Sequence, residues 1–281
     1  MKGLANLGNT CYFNSCLQCL FQIPLLSNYF ITQGYGGHCE FTQEYARIVK
    51  DYWTNKSQKI QSQQKIIEIF KKKYKNFDNS RQHDAQEVLV CILDLLHKGT
   101  KSITMGKRTN IDNPEWKMKT NSIIKDIFYG QIEKSIIYSG GKSVTRENCA
   151  HLMFTPLKNT TLVDLIADLQ KDEVIEGYTD SGGRTHHVAV MKQVLINKPD
   201  ILIMCFNMFM GKVKVELPPK WGQYKLIACC LHMGSTRGGH YVAFTLHKGR
   251  WYLKDDECVK EMVPNLNNQY YFCIYRKLAG V

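Results

Sequence analysis

Apolar positions recur at two periods along this chain, and the change of period divides it. Over Cys11–Phe21, the residues Phe13, Cys16, Leu17, Leu20 and Phe21 fall at helical spacing. They predict a helix opened by the capping run Gly8-Asn9-Thr10 and ended by Pro24. Ala85, Val88, Leu89, Ile92, Leu95 and Leu96 predict a second amphipathic helix that closes at Gly99. Residues 1–98 read as mostly helical, and the polar stretch 99–122, with Pro114, reads as loop. From 123 to 215 strand patterning dominates, with one short helix over Leu162–Leu169. Strands are then expected over 223–232, 240–246 and 251–253. A polar loop at 232–239 joins the first two, and a turn at Lys248-Gly249 joins the last two. The expected fold class is α+β, a helical N-terminal third followed by an antiparallel sheet.

These elements place chemistry at the two ends of the chain. Cys11 falls in the first turn of its helix, where free N–H groups and the helix dipole favour a thiolate. Asn6, in the loop before it, is a candidate oxyanion donor, a contribution of about 3–4 kcal/mol where such donors have been removed. Far downstream, Gly238-Gly239-His240-Tyr241 opens a strand with a histidine. The hairpin through Lys248-Gly249 returns Asp255 beside it, as a carboxylate that would hold the imidazole in one tautomer. Taken singly, Cys11 reads as a core cysteine, His240 as a hydrogen-bonded strand residue and Asp255-Asp256 as a solvated turn. Taken together they read as nucleophile, base and orienting acid. Cys16 and Cys19 lie in the helical pattern and read as packing rather than as half of a zinc site. Cys229 and Cys230 are adjacent in a strand and point to opposite faces.

The chain resembles the ubiquitin-specific protease family, papain-like cysteine peptidases that remove ubiquitin. Three stretches carry the likeness: residues 3–20, the run Gln82-His-Asp-Ala-Gln-Glu87, and the set His232, Gly234, Gly238-Gly-His-Tyr241, Trp251-Tyr252 and Asp255-Asp256. The resemblance implies Cys11 as nucleophile, His240 as base and acid, Asp255 as orienting carboxylate, Asn6 as oxyanion donor and Asp256 as an auxiliary acid. Asp84, at an exposed helix start, would grip the ubiquitin tail. The glycine loop Gly238-Gly239 would border the channel for its terminal glycines, and Gln82, Tyr241 and Tyr252 are the further substrate-binding residues. The implied fold is a hand forming a single catalytic domain over 1–278, with a helical thumb to about residue 122 and β fingers and palm over 123–278. The implied partners are ubiquitin and ubiquitinated proteins. A protease for another ubiquitin-like modifier, or a scaffold that binds without cutting, are the alternatives. The second would be favoured by loss of a triad residue, and none is lost.

Many family members carry two Cys-x-x-Cys zinc pairs in the fingers; here those stretches hold none. The remaining candidates, Cys149, His151, His186, His187 and Cys205, lack the usual spacing. No metal and no cofactor is expected, and the fingers should be held by apolar packing alone. The aromatic that usually precedes the acidic pair is replaced by Lys254. Composition adds bounds. Of 281 residues, 44% are hydrophobic, enough for a sizeable core. No apolar run is long enough to span a membrane, and no signal segment opens the chain. Eleven scattered cysteines suit a reducing, intracellular setting. The net charge of +12 comes from dispersed lysines, with one cluster at Lys71–Lys75 that reads as an ordinary helix end. No nucleic acid partner is expected, and the chain should act as a monomer.

Overall fold

The computed structural model describes residues 1–56, 62–77, 83–101, 122–208, 213–235 and 238–278. Helices come first: α1 (Cys11–Phe21), α2 (Pro24–Gln33), α3 (Glu40–Thr54), α4 (Gln64–Lys73) and α5 (Ala85–Thr100), then the short α6 (Ile123–Phe128). β1 (Gly130–Tyr138), β2 (Gly141–Cys149), β5 (Glu173–Thr179) and β6 (Thr185–Asn197) form a four-stranded sheet in the order β2-β1-β6-β5. Between them lie β3 (Leu152–Phe154), β4 (Thr160–Thr161) and α7 (Leu162–Leu169). The larger sheet adds β7 (Ile201–Phe206), β9 (Lys220–Trp221), β10 (Tyr224–Ser235), β11 (Gly238–His247), β12 (Arg250–Asp255), β13 (Cys258–Glu261) and β15 (Tyr270–Lys277). Its order is β13-β12-β11-β10-β15-β7-β3, with β9 beside β10. The remaining short strands, β8 (Val215–Glu216) and β14 (Asn267–Asn268), pair with each other, and β8 also pairs with β4.

The large sheet is buried on both faces, as the unbroken apolar run of β7 shows. Ile201, Ile203 and Cys205 turn toward the helices, and Leu202, Met204 and Phe206 toward the other side with Leu162 and Ile166 of α7. Cys230 and Cys229 divide between the two faces in the same way, as the alternation predicts. Helix α1 is buried along its whole length, as expected of a helix packed on all sides. It lies against β11 and β10, so the start of the chain meets its end.

Several expectations are corrected by packing. Gly99 does not cap α5, which continues to Thr100. A Cβ at Gly99 would stand 2.0 Å from Thr42 Oγ1, so the glycine permits close contact of α5 with α3. α1 stops at Phe21, before Pro24, as the pattern predicts, and Pro24 also opens α2, where its missing N–H is harmless. The strand-rich region opens with helix α6, capped by the Ser122 hydroxyl accepting from Lys125 N. The loop expected at 232–239 is mostly ladder, with β10 and β11 paired out to Ser235 and Gly238. Most of the polar stretch 99–122 falls outside the described residues.

The fingers are not held by apolar packing alone. His186 is 7% exposed. Its Nε2 lies 2.8 Å from Asp180 Oδ2, and its ring packs on Tyr138 and Tyr178, at centroid distances of 4.4 and 6.3 Å. Asp180 also accepts from the Gly182 and Arg184 N–H groups, closing the β5–β6 turn. Among the described residues, Cys149, His151, His186, His187 and Cys205 form no cluster of three ligand atoms.

Lys254 takes the aromatic position in an unusual way. It is 2% exposed, donates to Tyr52 Oη at 3.3 Å, and lies 5.8 and 5.9 Å from the ring centroids of Tyr52 and Tyr252. Among the described residues no carboxylate pairs with it, and burial lowers its pKa to about 7. That value lies below the ordinary lysine value of the unfolded chain. Between the two, the unfolded state binds more protons, so the native state gains stability as pH rises from 7 toward 10. Lys254→Met should raise stability at pH 7 by about 1–3 kcal/mol and abolish that slope. Urea titrations across this pH range measure both effects.

Candidate active site

The loop before α1 is built on one side chain. Asn6 Oδ1 accepts from the Gly8 N–H at 3.1 Å, and from Thr10 N and Oγ1 at 3.3 Å. Thr10 Oγ1 in turn accepts from Leu7 N at 3.0 Å. Gly8 and Asn9 adopt positive φ, 94° and 49°, which lets the chain double back. Cys11 then opens α1, 1% exposed.

The hairpin β11–β12 delivers the other groups. His240 Nε2 lies 2.6 Å from Asp255 Oδ1 and 3.8 Å from Asp256 Oδ2. Helix α1 packs on β11, and the backbone N–H of Tyr241 is near enough to the Cys11 thiol to favour its charged form, so β11 carries the histidine to the side of the cysteine. Asp256 lies in the left-handed region, φ 47°. Its Oδ2 accepts from Asn6 Nδ2 and its Oδ1 from Asn14 Nδ2, both at 2.8 Å. Its carbonyl accepts from Leu4 N at 2.8 Å. Gly3 must be glycine, because a Cβ there would stand 2.2 Å from the Glu257 carbonyl oxygen. The fold thus brings His240, Asp255, Asp256 and Asn6 together beside the start of the helix that Cys11 opens.

The electrostatics differ from the expectation for a helix start. Burial pushes the Cys11 thiol up. The backbone N–H groups of Tyr241, Tyr12 and Cys11 itself oppose this, and the Asp256 carboxylate adds to it. Desolvation outweighs the helix terminus, so the free thiol needs a base to ionise it. Asp84 also departs from expectation. It is the N-cap of α5, accepting from Gln86 N at 3.0 Å, and is half-buried rather than exposed. Burial pushes its carboxyl up to about 7, with Glu87 adding a little and the bond from Gln86 opposing.

Tyr241 is buried against His232 and Tyr271, with centroids 4.5 and 5.1 Å away. Asp84 lies near enough to help raise the Tyr241 phenol after burial has done so. Gly238 and Gly239 open β11, and a Cβ at Gly239 would stand 2.2 Å from His232 Nε2. Tyr252 is not brought to His240. It shares the face of Lys254, two residues on, and that face turns to Tyr52 of α3. Gln82 lies outside the described residues.

Two residues of the site escaped the sequence reading: Asn14 and Gln63. Asn14, 2% exposed, was detectable as a polar residue within a largely apolar helix. Gln63 carries no sequence signal. Among the described residues, the only group with three potential metal-ligand atoms within 4.8 Å is His240, Asp255 and Asp256. Asp256 is already engaged by Asn6 and Asn14, and His240 Nε2 by Asp255, so the group is arranged as a hydrogen-bond relay.

The sequence model of the family described as "Ubiquitin carboxyl-terminal hydrolase" matches residues 2–220 and 206–275. The chain is 28% identical to Ubiquitin carboxyl-terminal hydrolase Usp2 of Drosophila melanogaster, over 92% of this chain and 32% of that protein. It is 25% identical to human Ubiquitin carboxyl-terminal hydrolase 2, over 93% of this chain and 52% of that protein. The chain therefore spans between a third and a half of the length of these curated relatives. In fold it is similar to a chain of the SAGA Ubp8/Sgf11/Sus1/Sgf73 DUB module bound to ubiquitin aldehyde, with TM-score 0.78, 20% identity, and coverage of 99% of this chain and 70% of that one.

Asp256→Ala removes an acceptor from two amides and should cost about 3 kcal/mol of stability. Asp255→Ala, at a side chain 41% exposed, should cost under about 1 kcal/mol. Guanidinium unfolding of the two variants measures the difference.

Proposed function

We propose that this chain, which belongs to the ubiquitin carboxyl-terminal hydrolase family in its ubiquitin-specific protease type, is a cysteine-type deubiquitinase. It hydrolyses the bond after the C-terminal glycine of ubiquitin through a thioester. The observation that carries this reading is one juxtaposition. The His240 imidazole is tied to Asp255 at 2.6 Å, on a strand, β11, against which the helix opened by Cys11 packs.

With Nε2–H given to the Asp255 carboxylate, Nδ1 of His240 is left as the basic nitrogen. It takes the proton from the raised Cys11 thiol, and the sulfur attacks the glycine carbonyl carbon. The oxyanion that forms is met by the Cys11 backbone N–H and by the Asn6 amide, whose second N–H is not used by Asp256. The C–N bond breaks as His240 returns its proton to the leaving amine. Water, deprotonated by His240, then attacks the thioester and frees the carboxylate and Cys11. Asp255 holds the imidazole throughout and stabilises its charged form. Asp84 receives a cationic residue of the ubiquitin tail, and Gly238-Gly239 border the channel. Ubiquitinated proteins are the substrates, and eleven free cysteines suit a reducing compartment within the cell.

A panel of ubiquitin and ubiquitin-like proteins bearing C-terminal electrophiles tests activity and modifier together. Ubiquitin probe should label wild type at Cys11 alone. Labelling that persists in Cys11→Ser removes the assignment, and labelling by another modifier in place of ubiquitin changes the substrate. His240→Ala should abolish turnover, and Asp255→Asn should lower kcat by about 100-fold or more.

Asp84 generates a pH test. A carboxylate binds a cation and its neutral acid does not, so binding should strengthen as pH rises through about 7. KM for ubiquitin substrates should fall several-fold, by about three- to tenfold, from pH 6 to 8. In Asp84→Asn, KM should be about 10–100-fold higher and flat with pH. Initial rates at five substrate concentrations per pH decide it.

A further inference from the structure

Behind the acidic pair lies a second set of polar side chains that the reaction itself does not touch. Asn14, on α1 one turn after Cys11, is 2% exposed, and Gln63, at the N-cap of α4, is 1% exposed. Asn14 Nδ2 donates to Asp256 Oδ1 at 2.8 Å and to the Ala5 carbonyl at 3.0 Å. Asn14 Oδ1 accepts from Gln63 Nε2 at 3.2 Å, and the same nitrogen donates to the Ala5 carbonyl. Ala5 immediately precedes Asn6, whose Nδ2 donates to the other oxygen of Asp256 at 2.8 Å. Asn6 is therefore gripped twice, by its backbone through Ala5 and by its amide through Asp256. Both grips end on Asn14.

We propose that Asn14 and Gln63 are positioning residues that aim the Asn6 amide at the developing oxyanion, Asn14 as the clamp and Gln63 as its brace. The kinetic part of this inference rests on the deubiquitinase reading; the geometric part does not. Packing alone would favour an apolar residue at position 14, since the helix is buried on every side. A buried amide persists there because each of its hydrogen-bonding groups is used. Fixing the donor before reaction matters because a misplacement of about 1 Å at such a site costs on the order of 100-fold in rate. The brace also ties the start of α4, a helix that touches no reacting group, to the oxyanion loop.

The test uses Asn14→Asp, Gln63→Met and the double variant Asn14→Asp/Asp256→Asn. The first sets a carboxylate against Asp256. The double variant exchanges donor and acceptor and restores the pairing of these two side chains, while the Ala5 carbonyl keeps only its bond from Gln63. Three quantities are read: the side-chain amide resonances of Asn6, assigned by their loss in Asn6→Ser; kcat and KM on a ubiquitin C-terminal amidocoumarin; and the alkylation rate of Cys11 by iodoacetamide. Alkylation is a direct displacement and forms no oxyanion, so it reports the thiol and the fold alone.

In Asn14→Asp the Asn6 resonances should move toward those of a free side chain. kcat should fall about 10- to 100-fold and KM stay within about twofold. Cys11 alkylation should stay within about threefold of wild type. Gln63→Met should move the same quantities in the same direction by less, and it decides the matter if Asn14→Asp does not fold. The double variant should move the Asn6 resonances back toward wild type relative to Asn14→Asp and recover part of the lost kcat, since the Asp256 grip is remade and the Ala5 grip is not. Unmoved Asn6 resonances in both single variants would overturn the proposal. So would kcat and alkylation falling in parallel, which marks general loosening. A wild type that is inert on ubiquitin, with Asn6 resonances that still depend on Asn14, would uphold the relay and remove the activity instead.

Discussion

One carboxylate joins the two ends of this chain. Asp256 accepts from Asn6 and Asn14, and its carbonyl from Leu4, so three bonds tie the N-terminal segment to the turn after β12. The side chain is 13% exposed, and its bonds to neutral amides are strengthened by its charge and its partial removal from water. The residue adopts φ 47°, a left-handed conformation that a β-carbon makes unfavourable. That strain persists because the surrounding bonds over-determine the position. Release this one group and the Asn6 loop loses its hold on β12, even though every helix and strand remains.

The second constraint is desolvation. Three ionisable groups around the site are moved from their ordinary values mainly by burial: the Cys11 thiol upward, Asp84 up to about 7, and Lys254 down to about 7. In each case the charged form lacks an opposite charge in the free protein. In the proposed reaction His240 serves the thiol, and a cation on the incoming tail serves Asp84. Lys254 has only the Tyr52 hydroxyl and two ring faces, a weaker substitute for hydration. Burial thus brings Asp84 and Lys254 to titrate near neutral pH, where small changes in their surroundings change their charge.

Much of this was legible in the residues. The helix at Cys11, the hairpin that returns Asp255 to His240, and the division of Cys229 and Cys230 between two faces all follow from local periodicity and turn residues. So does the run of lysines at the end of α4, which pair naturally with a helix C-terminus. These features depend on neighbours within a few positions, and such neighbours are written in the sequence. Family membership was legible for the same reason, since its three motifs are local strings.

Tertiary structure alone decided what depends on distant partners. Gly99 reads as a helix end, yet it sits inside α5 because Thr42 of another helix approaches to 2.0 Å of where its Cβ would be. Asp84 reads as an exposed acid, yet packing near Tyr241 takes it out of water. Gln63 reads as nothing at all until the fold brings it against Asn14 and Ala5. The sequence by itself determined which groups this protein possesses and the local elements that carry them. The tertiary structure determined their protonation and their aim, because burial and long-range hydrogen bonds are properties of the assembled core.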